Sequence, residues 1–417
     1  MAIAYLVIII LLANKLLFVT PFSYQASDLG VVLIGIGLLY YARRSRELNR
    51  LSTFFSWYVF VYLTFVLMQA SIAAFKYGQP VIHGVIGARD QFYYLSFPLF
   101  VLALNSAERA SKLMQALTAV AAIIIFLALI HNLGIVNVFI DRGGEEWKMG
   151  GERFGVIRFW FPGLDILMLT GIWQFMRYLK QSELVARPLG VFLIILAGVL
   201  LRQTRGRIIA LFAVLGLMAY RHKRYRLIAM GAFAFILLAL VVTLGGKENI
   251  LVNAFTSAYT EVAEGEGTWV AREQQIDIAK QILQESFWFG SGAIALRGVP
   301  HTTDFTKLNM ATLVYAADLG YWTWIKFYGF PGIVLLALML LAFFWYGFKR
   351  PRKPEWEDLV QLGIYHYLCI AISLITINYL TSSGGIVLLC LTWALLANGT
   401  EPRNKNPMLE KSLVKQQ

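Results

Sequence analysis

Cysteine, charge and metal-ligand patterns are scarce in this sequence. Its 417 residues include two cysteines, Cys369 and Cys390, both in apolar segments, which excludes a disulfide framework. Charged residues make up 15% of the chain, where about 25% is usual in soluble domains. The five histidines lack metal-ligand spacing, and no P-loop, GxGxxG or GxSxG motif occurs. The sequence therefore indicates no metal, and it supports neither ATP or dinucleotide binding nor a serine hydrolase.

Apolar residues are abundant instead. They form 58% of the chain, and the mean hydropathy is +0.63. Runs of roughly 20 apolar residues predict transmembrane helices, so we expect an all-α polytopic membrane protein with about twelve spans. We find no internal repeat and expect one membrane domain over residues 1–417. The predicted spans are 2–20, 28–42, 51–75, 92–106, 113–140, 156–178, 188–201, 208–220, 227–245, 330–348, 358–380 and 384–397.

The basic residues predict the orientation of these spans. The net charge is +13, but the basic residues cluster in short loops, as the positive-inside rule requires, and not in a nucleic-acid-binding patch. Basic groups follow spans two, eight and ten, at 43–50, 221–226 and 349–353. If these loops are cytoplasmic, both termini are cytoplasmic too. The long segment 246–329 then lies outside, because long loops cross largely regardless of charge.

The segment 246–329 is the one long stretch that is not mostly hydrophobic. Helical spacing of apolar residues predicts an amphipathic helix from Arg272 to Phe289, and Gly290-Ser291-Gly292 is expected to end it. Residues 310–328 are apolar enough to span a membrane. A span there would place the basic residues 349–353 outside, so we predict a short helix on the outer face instead.

Three arginines contradict the positive-inside trend. Arg202, Arg205 and Arg207 lie in the predicted outward turn between spans seven and eight. An anionic ligand at the outer face would explain them, since the guanidinium group donates two parallel hydrogen bonds to phosphate. The alternative is that these side chains reach lipid headgroups.

Other arginines have local alternatives. Arg153 and Arg158 lie at the start of predicted span six, close to Asp165 within it. A charge inside a span suggests function, but Asp165 could equally pair with Arg158 across two helical turns. Arg272 at the start of the loop helix could pair with Glu273 or with acidic residues upstream.

Three elements in order carry a family resemblance. The segment 201–211 (LRQTRGRIIAL) resembles the Ser-Arg-Gly element of the O-antigen ligase and O-antigen polymerase superfamily, with Thr204 in the serine position. Arg272, its helix and the Gly290-Ser291-Gly292 turn resemble that family's arginine, amphipathic helix and Gly-x-Gly turn. The segment 318–332 (DLGYWTWIKFYGFPG) resembles its His-Asn motif, the helix after it and Gly-x-x-Gly.

Two departures from the family pattern are visible. Phe287 stands where the family often has proline, and Asp318-Leu319 stands where ligases have His-Asn. The second departure makes a polysaccharide polymerase the closer match. The resemblance implies a metal-independent, cofactor-free glycosyltransferase of the membrane-embedded C type in the bacterial inner membrane, with its active site facing the periplasm. Its donor would be a polyprenyl-diphosphate-linked oligosaccharide, and its partners a flippase and a chain-length regulator.

The resemblance and the chemistry together assign candidate roles. The leaving diphosphate needs cations where charge develops, which fits Arg205 and Arg272, with Arg202, Arg207 and Arg158 as further candidates. The attacking hydroxyl needs a base, for which Asp318 is the first candidate and His301 the second. Alternatively, Asp318 caps the following helix and His301 is a solvated loop residue.

Three functions remain open at this stage. The first is a polymerase that joins lipid-linked repeat units by an inverting displacement. The second is an O-antigen ligase that transfers a finished glycan to another acceptor. The third, from a different class, is a flippase or transporter of the lipid-linked precursor, although transporters often show internal repeats and none is visible here.

Overall fold

The computed structural model describes most of the chain as helices. It describes residues 2–17, 23–43, 51–136, 150–153, 156–158, 161–180, 186–202, 204–227, 229, 268–294, 319–375 and 379–401. The predicted ninth span at 227–245 lies almost wholly outside these residues.

The described residues form thirteen α-helices. They are α1 Ala2–Ala13, α2 Ser23–Arg43, α3 Phe54–Tyr77, α4 Val81–Gly87, α5 Ser96–Ala103, α6 Ala107–Asn132, α7 Leu164–Lys180, α8 Ala186–Leu201, α9 Arg205–Arg221, α10 Thr268–Glu285, α11 Tyr321–Phe344, α12 Glu357–Ser373 and α13 Ser383–Gly399. Short 3₁₀ helices occupy Arg89–Leu95 and Pro354–Trp356, and a π-helical turn, Trp345–Lys349, extends α11.

The helices have the lengths and surfaces of a membrane protein. In the described part of the chain, Phe54–Tyr77, Ala107–Asn132 and Tyr321–Lys349 are long and apolar enough to cross a membrane, and shorter apolar helices accompany them. Large apolar side chains point outward from these helices: Phe75 is 94% exposed and Phe60 72%. Such a surface is stable in lipid and not in water. The number of twelve spans stays a prediction.

Predicted span six is wrong at its start. Residues Gly150–Arg153 (β1) and Val156–Arg158 (β2) form a two-stranded antiparallel hairpin. α7 begins only at Leu164, after Pro162 and Gly163. Pro162 cannot donate a backbone hydrogen bond within a helix, so residues before it do not join α7. Arg158 is therefore on a strand and cannot pair with Asp165 along a helix.

The predicted outer helix and tenth span are joined in α11. The helix runs from Tyr321 to Phe344 through a kink at Gly329, where φ is 60° and ψ is −149°. Pro331 lies two residues later, and proline removes one helical hydrogen bond. The prediction of a separate short helix within 310–328 is therefore wrong for its described part, because the helix that begins at Tyr321 continues into the apolar helix that follows. Residues 310–318 lie outside the described residues.

Aromatic side chains pack α3 against α11 in the core. The Tyr62 ring stacks on Trp324 with centroids 5.0 Å apart, and the Tyr62 and Tyr328 hydroxyls lie 2.9 Å from each other. All three side chains are buried. Stacked rings combined with a satisfied buried hydroxyl pair make this a specific contact, which sets how the kinked part of α11 meets α3.

The two ends of the helix bundle differ in charge. At the end called the arginine end below, α7, α9 and α11 begin and α8 and α12 finish. At the opposite end Lys180 forms an ion pair with Asp358. Burial, followed by the nearby Lys180, Arg221 and Arg224, lowers the pKa of His222 there. Arg221 and Arg224 of the basic group 221–226, and Arg352 of the group 349–353, which pairs with Glu357, thus lie at the end opposite the candidate arginines.

Candidate active site at the arginine end

Arg207 forms a buried ion pair with Asp165. The pair joins the first turns of α9 and α7, and the two side chains are 13% and 10% exposed respectively. The Arg207 guanidinium also lies over the Tyr379 ring, 5.5 Å from its centroid. Tyr379 is itself buried. Asp165 in span six therefore meets an arginine of another helix.

This pairing changes the interpretation of Arg207. Two charges taken out of water cost several kcal/mol each, and removing one partner leaves the other uncompensated. The positive charge of Arg207 is thus matched by the protein before any substrate arrives. Its evident effect is to hold the first turn of α9 against α7. Arg207 as a ligand of the substrate diphosphate stays a prediction.

The remaining two arginines of this cluster lie beside that pair. The Arg202 guanidinium lies over the ring of buried Phe161, 5.6 Å from its centroid. Arg205 is the first residue of α9, directly after the N-cap residue Thr204. The first amides of a helix have no partner within the helix and favour anions. The backbone of Arg205 therefore lies at a helix start that favours anions. The Arg205 side chain is not described.

The loop helix α10 docks on α11. It covers Thr268–Glu285, four residues N-terminal of the predicted range at both ends, and includes Arg272. Ala279 of α10 and Leu319 are buried against each other, with Ile276, Ile282 and Trp322 packed around them. An amphipathic helix from 272 onward is thus confirmed, and its apolar face meets the start of α11. The Arg272 side chain is not described.

The segment after Asp318 is firmly held. Gly320 is the N-cap of α11, and the Tyr321 amide donates to the Leu374 carbonyl at 2.9 Å. The Trp322 amide donates to the Leu319 carbonyl at 3.1 Å. The first two amides of α11 are therefore bonded to backbone oxygens, and the capping role considered for Asp318 stays a prediction. Asp318 itself and His301 lie outside the described residues.

The end of α12 connects the two halves of the candidate site. The carbonyl of its C-cap residue Leu374 accepts from the Tyr321 amide, three residues after Asp318, and the Tyr321 hydroxyl donates to the Ala371 carbonyl at 2.7 Å. On its other side α12 packs along α9, which begins with Arg205. The backbones that follow Asp318 and carry Arg205 thus flank one helix end. Arg153 and Arg158 lie on the hairpin, and their side chains are not described.

The sequence analysis did not identify two residues that contact this region, Tyr379 and Lys76. Tyr379 under Arg207 lies in an apolar segment with no pattern to mark it. Lys76 at the end of α3 is hydrogen-bonded to the turn after α10, and a single lysine beside a predicted span resembles an ordinary interfacial residue. Across the described ranges no group of three or more His, Cys, Asp and Glu side chains converges.

This part of the chain matches a known protein family in sequence. A family model described as O-antigen ligase covers residues 190–337. That range begins in α8, contains all of α9 and α10, and ends in α11 beyond the kink. It therefore includes Arg202, Arg205, Arg207 and Arg272, along with the positions of His301 and Asp318. No curated protein matched the chain.

Proposed function

We propose that this membrane protein, whose residues 190–337 match a family model described as O-antigen ligase, is a polysaccharide polymerase. It transfers a glycan from a polyprenyl-diphosphate-linked donor to a sugar hydroxyl of a second lipid-linked repeat unit. The reaction requires no metal and inverts the anomeric configuration. It takes place at the arginine end, which faces the periplasm.

The arrangement around α9 carries this proposal. Three arginines in six residues meet the N-terminus of a helix at one end of the bundle, and Asp165 neutralises one of them, Arg207. The helix start and the remaining guanidinium groups suit a diphosphate, which carries its charge at headgroup depth. Arg272 on α10 supplies a further cation from the segment that packs on α11.

The bond changes follow from this placement. The acceptor hydroxyl oxygen attacks the anomeric carbon, and the bond from that carbon to the diphosphate oxygen breaks. The polyprenyl diphosphate leaves with the electron pair, and Arg205 and Arg272 stabilise the charge it gains. Asp318 accepts the proton of the attacking hydroxyl. One displacement at the anomeric carbon inverts its configuration.

A ligase is the second candidate, favoured by the description of the matching family as O-antigen ligase. A ligase would use the same donor and arginines but a different acceptor. Asp318-Leu319, where ligases have His-Asn, favours the polymerase. The two functions are therefore distinguished by the acceptor alone.

Reconstitution tests the proposal directly. The purified protein in liposomes, given one lipid-linked repeat unit and no other acceptor, is expected to produce a ladder of longer glycans. Transfer only after a separate lipid acceptor is added would establish a ligase instead. Movement of the lipid-linked unit across the bilayer without any new glycosidic bond would establish a transporter and overturn the proposal.

A further inference from the structure

The kink in α11 leaves two backbone carbonyl oxygens without their usual hydrogen bonds within the helix. In a regular helix the Phe327 carbonyl would accept from residue 331, which is proline and has no N–H. The Lys326 carbonyl would accept from the Phe330 amide, but that amide donates to the Phe287 carbonyl at 2.8 Å. Both oxygens lie within an apolar helix, where an unmet carbonyl is costly.

The turn after α10 satisfies these carbonyls. The Ser291 amide donates to the Lys326 carbonyl at 2.9 Å, and the Gly292 amide to the Phe327 carbonyl at 3.2 Å. Phe287, at the position where the family often has proline, also stacks its ring on Phe330 at 5.3 Å. The Gly-Ser-Gly turn and the Gly-Phe-Pro-Gly kink therefore form one interlocked unit, called the joint below.

Two glycines make the joint possible. A Cβ atom on Gly290 would lie 2.3 Å from the Lys326 carbonyl oxygen, and one on Gly329 would lie 2.6 Å from the Gly290 nitrogen. Their φ angles are 63° and 60°, which side chains with a Cβ rarely adopt. Each glycine is thus required both by its own backbone and by the close approach of the other.

The end of α3 closes the third side of the joint. The Ala293 amide donates to the Gln69 carbonyl at 3.2 Å. The Lys76 ammonium donates to the Gly290 carbonyl at 2.7 Å and to the Ser286 hydroxyl. Ser286 directly follows α10, so a cation sits where the helix dipole is negative. Lys76 thus connects a membrane helix to the end of the loop helix.

The position of the joint matters because it holds one end of α10, and a small tilt of this helix displaces its other end. The helix carries Arg272, which lies about 20 Å along the axis from Glu285 at 1.5 Å per residue. Ala279 packs on Leu319 near the middle of α10, and the joint holds its end. These two contacts fix the direction of the α10 axis. A tilt of about 10° about the clamped end would move Arg272 by about 3–4 Å.

We propose that Lys76 is a positioning residue for the transfer reaction: with the joint, it holds the end of α10 on α3 and α11 so that Arg272 has one place at the arginine end. This rests on the proposed function, in which Arg272 stabilises the leaving diphosphate. Misplacement of a catalytic group by about 1 Å can lower a rate about 100-fold. Lys76 is exposed, so its effect is on position more than on folding.

Lys76→Met is expected to lower kcat/KM for glycan extension about tenfold to 100-fold, mainly through kcat, because the lost interaction is one that matters in the transition state. Lys76→Arg, which keeps both hydrogen bonds, should restore most of the activity. The control is Lys280→Met on α10 itself, where the lysine is exposed and pairs locally with Asp277. Wild-type kcat/KM in Lys76→Met would overturn the proposal.

A cross-link separates holding from substrate contact. Lys76→Cys combined with Ser286→Cys, bridged by a short bis-thiol reagent, should recover activity once bridged. The native cysteines Cys369 and Cys390 are buried, and the treated wild type controls for them. Failure of the bridge to restore activity, with an active wild type, would overturn the positioning role alone. Absence of extension by the wild type would overturn the proposed function instead.

The joint is also testable without activity. Gly290→Ala is expected to lower the unfolding temperature of the detergent-purified protein by several degrees more than Gly78→Ala. Gly78 is a matched control, since its φ is 66° and a Cβ there meets nothing within 4 Å. Both variants carry the same backbone penalty, so the difference isolates the contact with α11. Equal unfolding temperatures would contradict the joint.

Discussion

Asp318→Asn is expected to lower glycan extension about 10²- to 10⁴-fold, the usual loss for a general base. The folded state and binding of the lipid-linked donor should be kept. Asparagine has nearly the shape of aspartate but cannot accept a proton at neutral pH. The measurement is turnover of the reconstituted protein at equal protein level, with donor binding recorded separately.

The start of α11 bears on the other role considered for Asp318, that of a helix cap. Asparagine would also preserve a helix cap, but the N-cap of α11 is Gly320. The first amides of α11 are bonded to the carbonyls of Leu374 and Leu319. Because asparagine caps a helix about as well as aspartate, a loss of activity in Asp318→Asn at unchanged donor binding is attributed to the lost proton acceptor. Asp277→Asn is the matched control, because that carboxylate is exposed on α10 and pairs with Lys280.

Full activity of Asp318→Asn would remove Asp318 as the base. His301→Ala would then test the second candidate from the same predicted loop. Loss of extension in that variant, with unchanged donor binding, would transfer the role to His301.

Arg205→Ala and Arg272→Ala are each expected to lower turnover by about two orders of magnitude, by analogy with the loss of one donor to a developing oxyanion. Lysine at either position should restore activity only partly, because it lacks the planar fork that binds two phosphate oxygens. Chain extension from the purified lipid-linked unit is the measurement.

Arg109→Ala serves as the control for these arginines. Arg109 is exposed on α6 and bonds locally to the Asn105 side chain at 2.8 Å. Its removal changes the net charge equally without touching the arginine end. Near-normal extension by both Arg205→Ala and Arg272→Ala would refute the diphosphate site while leaving the fold untouched.

Much of the general character of this protein was predictable from the sequence. Apolar runs such as 54–77 and 107–132 determine membrane helices, because about 20 apolar residues match the bilayer core. The spacing after Arg272 predicted an amphipathic helix, and α10 is present there. The motifs around Arg205 and Asp318 also pointed to the family whose model matches residues 190–337.

Helix ends were predicted less well, because they depend on single residues. Hydropathy alone extended span six back to residue 156, where the chain forms a hairpin before Pro162. In the same way, the apolar stretch around Gly329 was divided into two helices, although α11 is continuous through a kink. Windows of about 20 residues average over such positions, which backbone geometry decides.

By itself, the sequence determined the membrane class, the amphipathic loop helix and the set of charged candidates, since these follow from local composition and periodicity. Only the tertiary structure decided that Asp165 pairs with Arg207 and that the turn at 290–292 enters the kink of α11. These contacts join residues about 40 positions apart. Charge neutralisation and carbonyl satisfaction between helices depend on which helices become neighbours, and no local pattern records that.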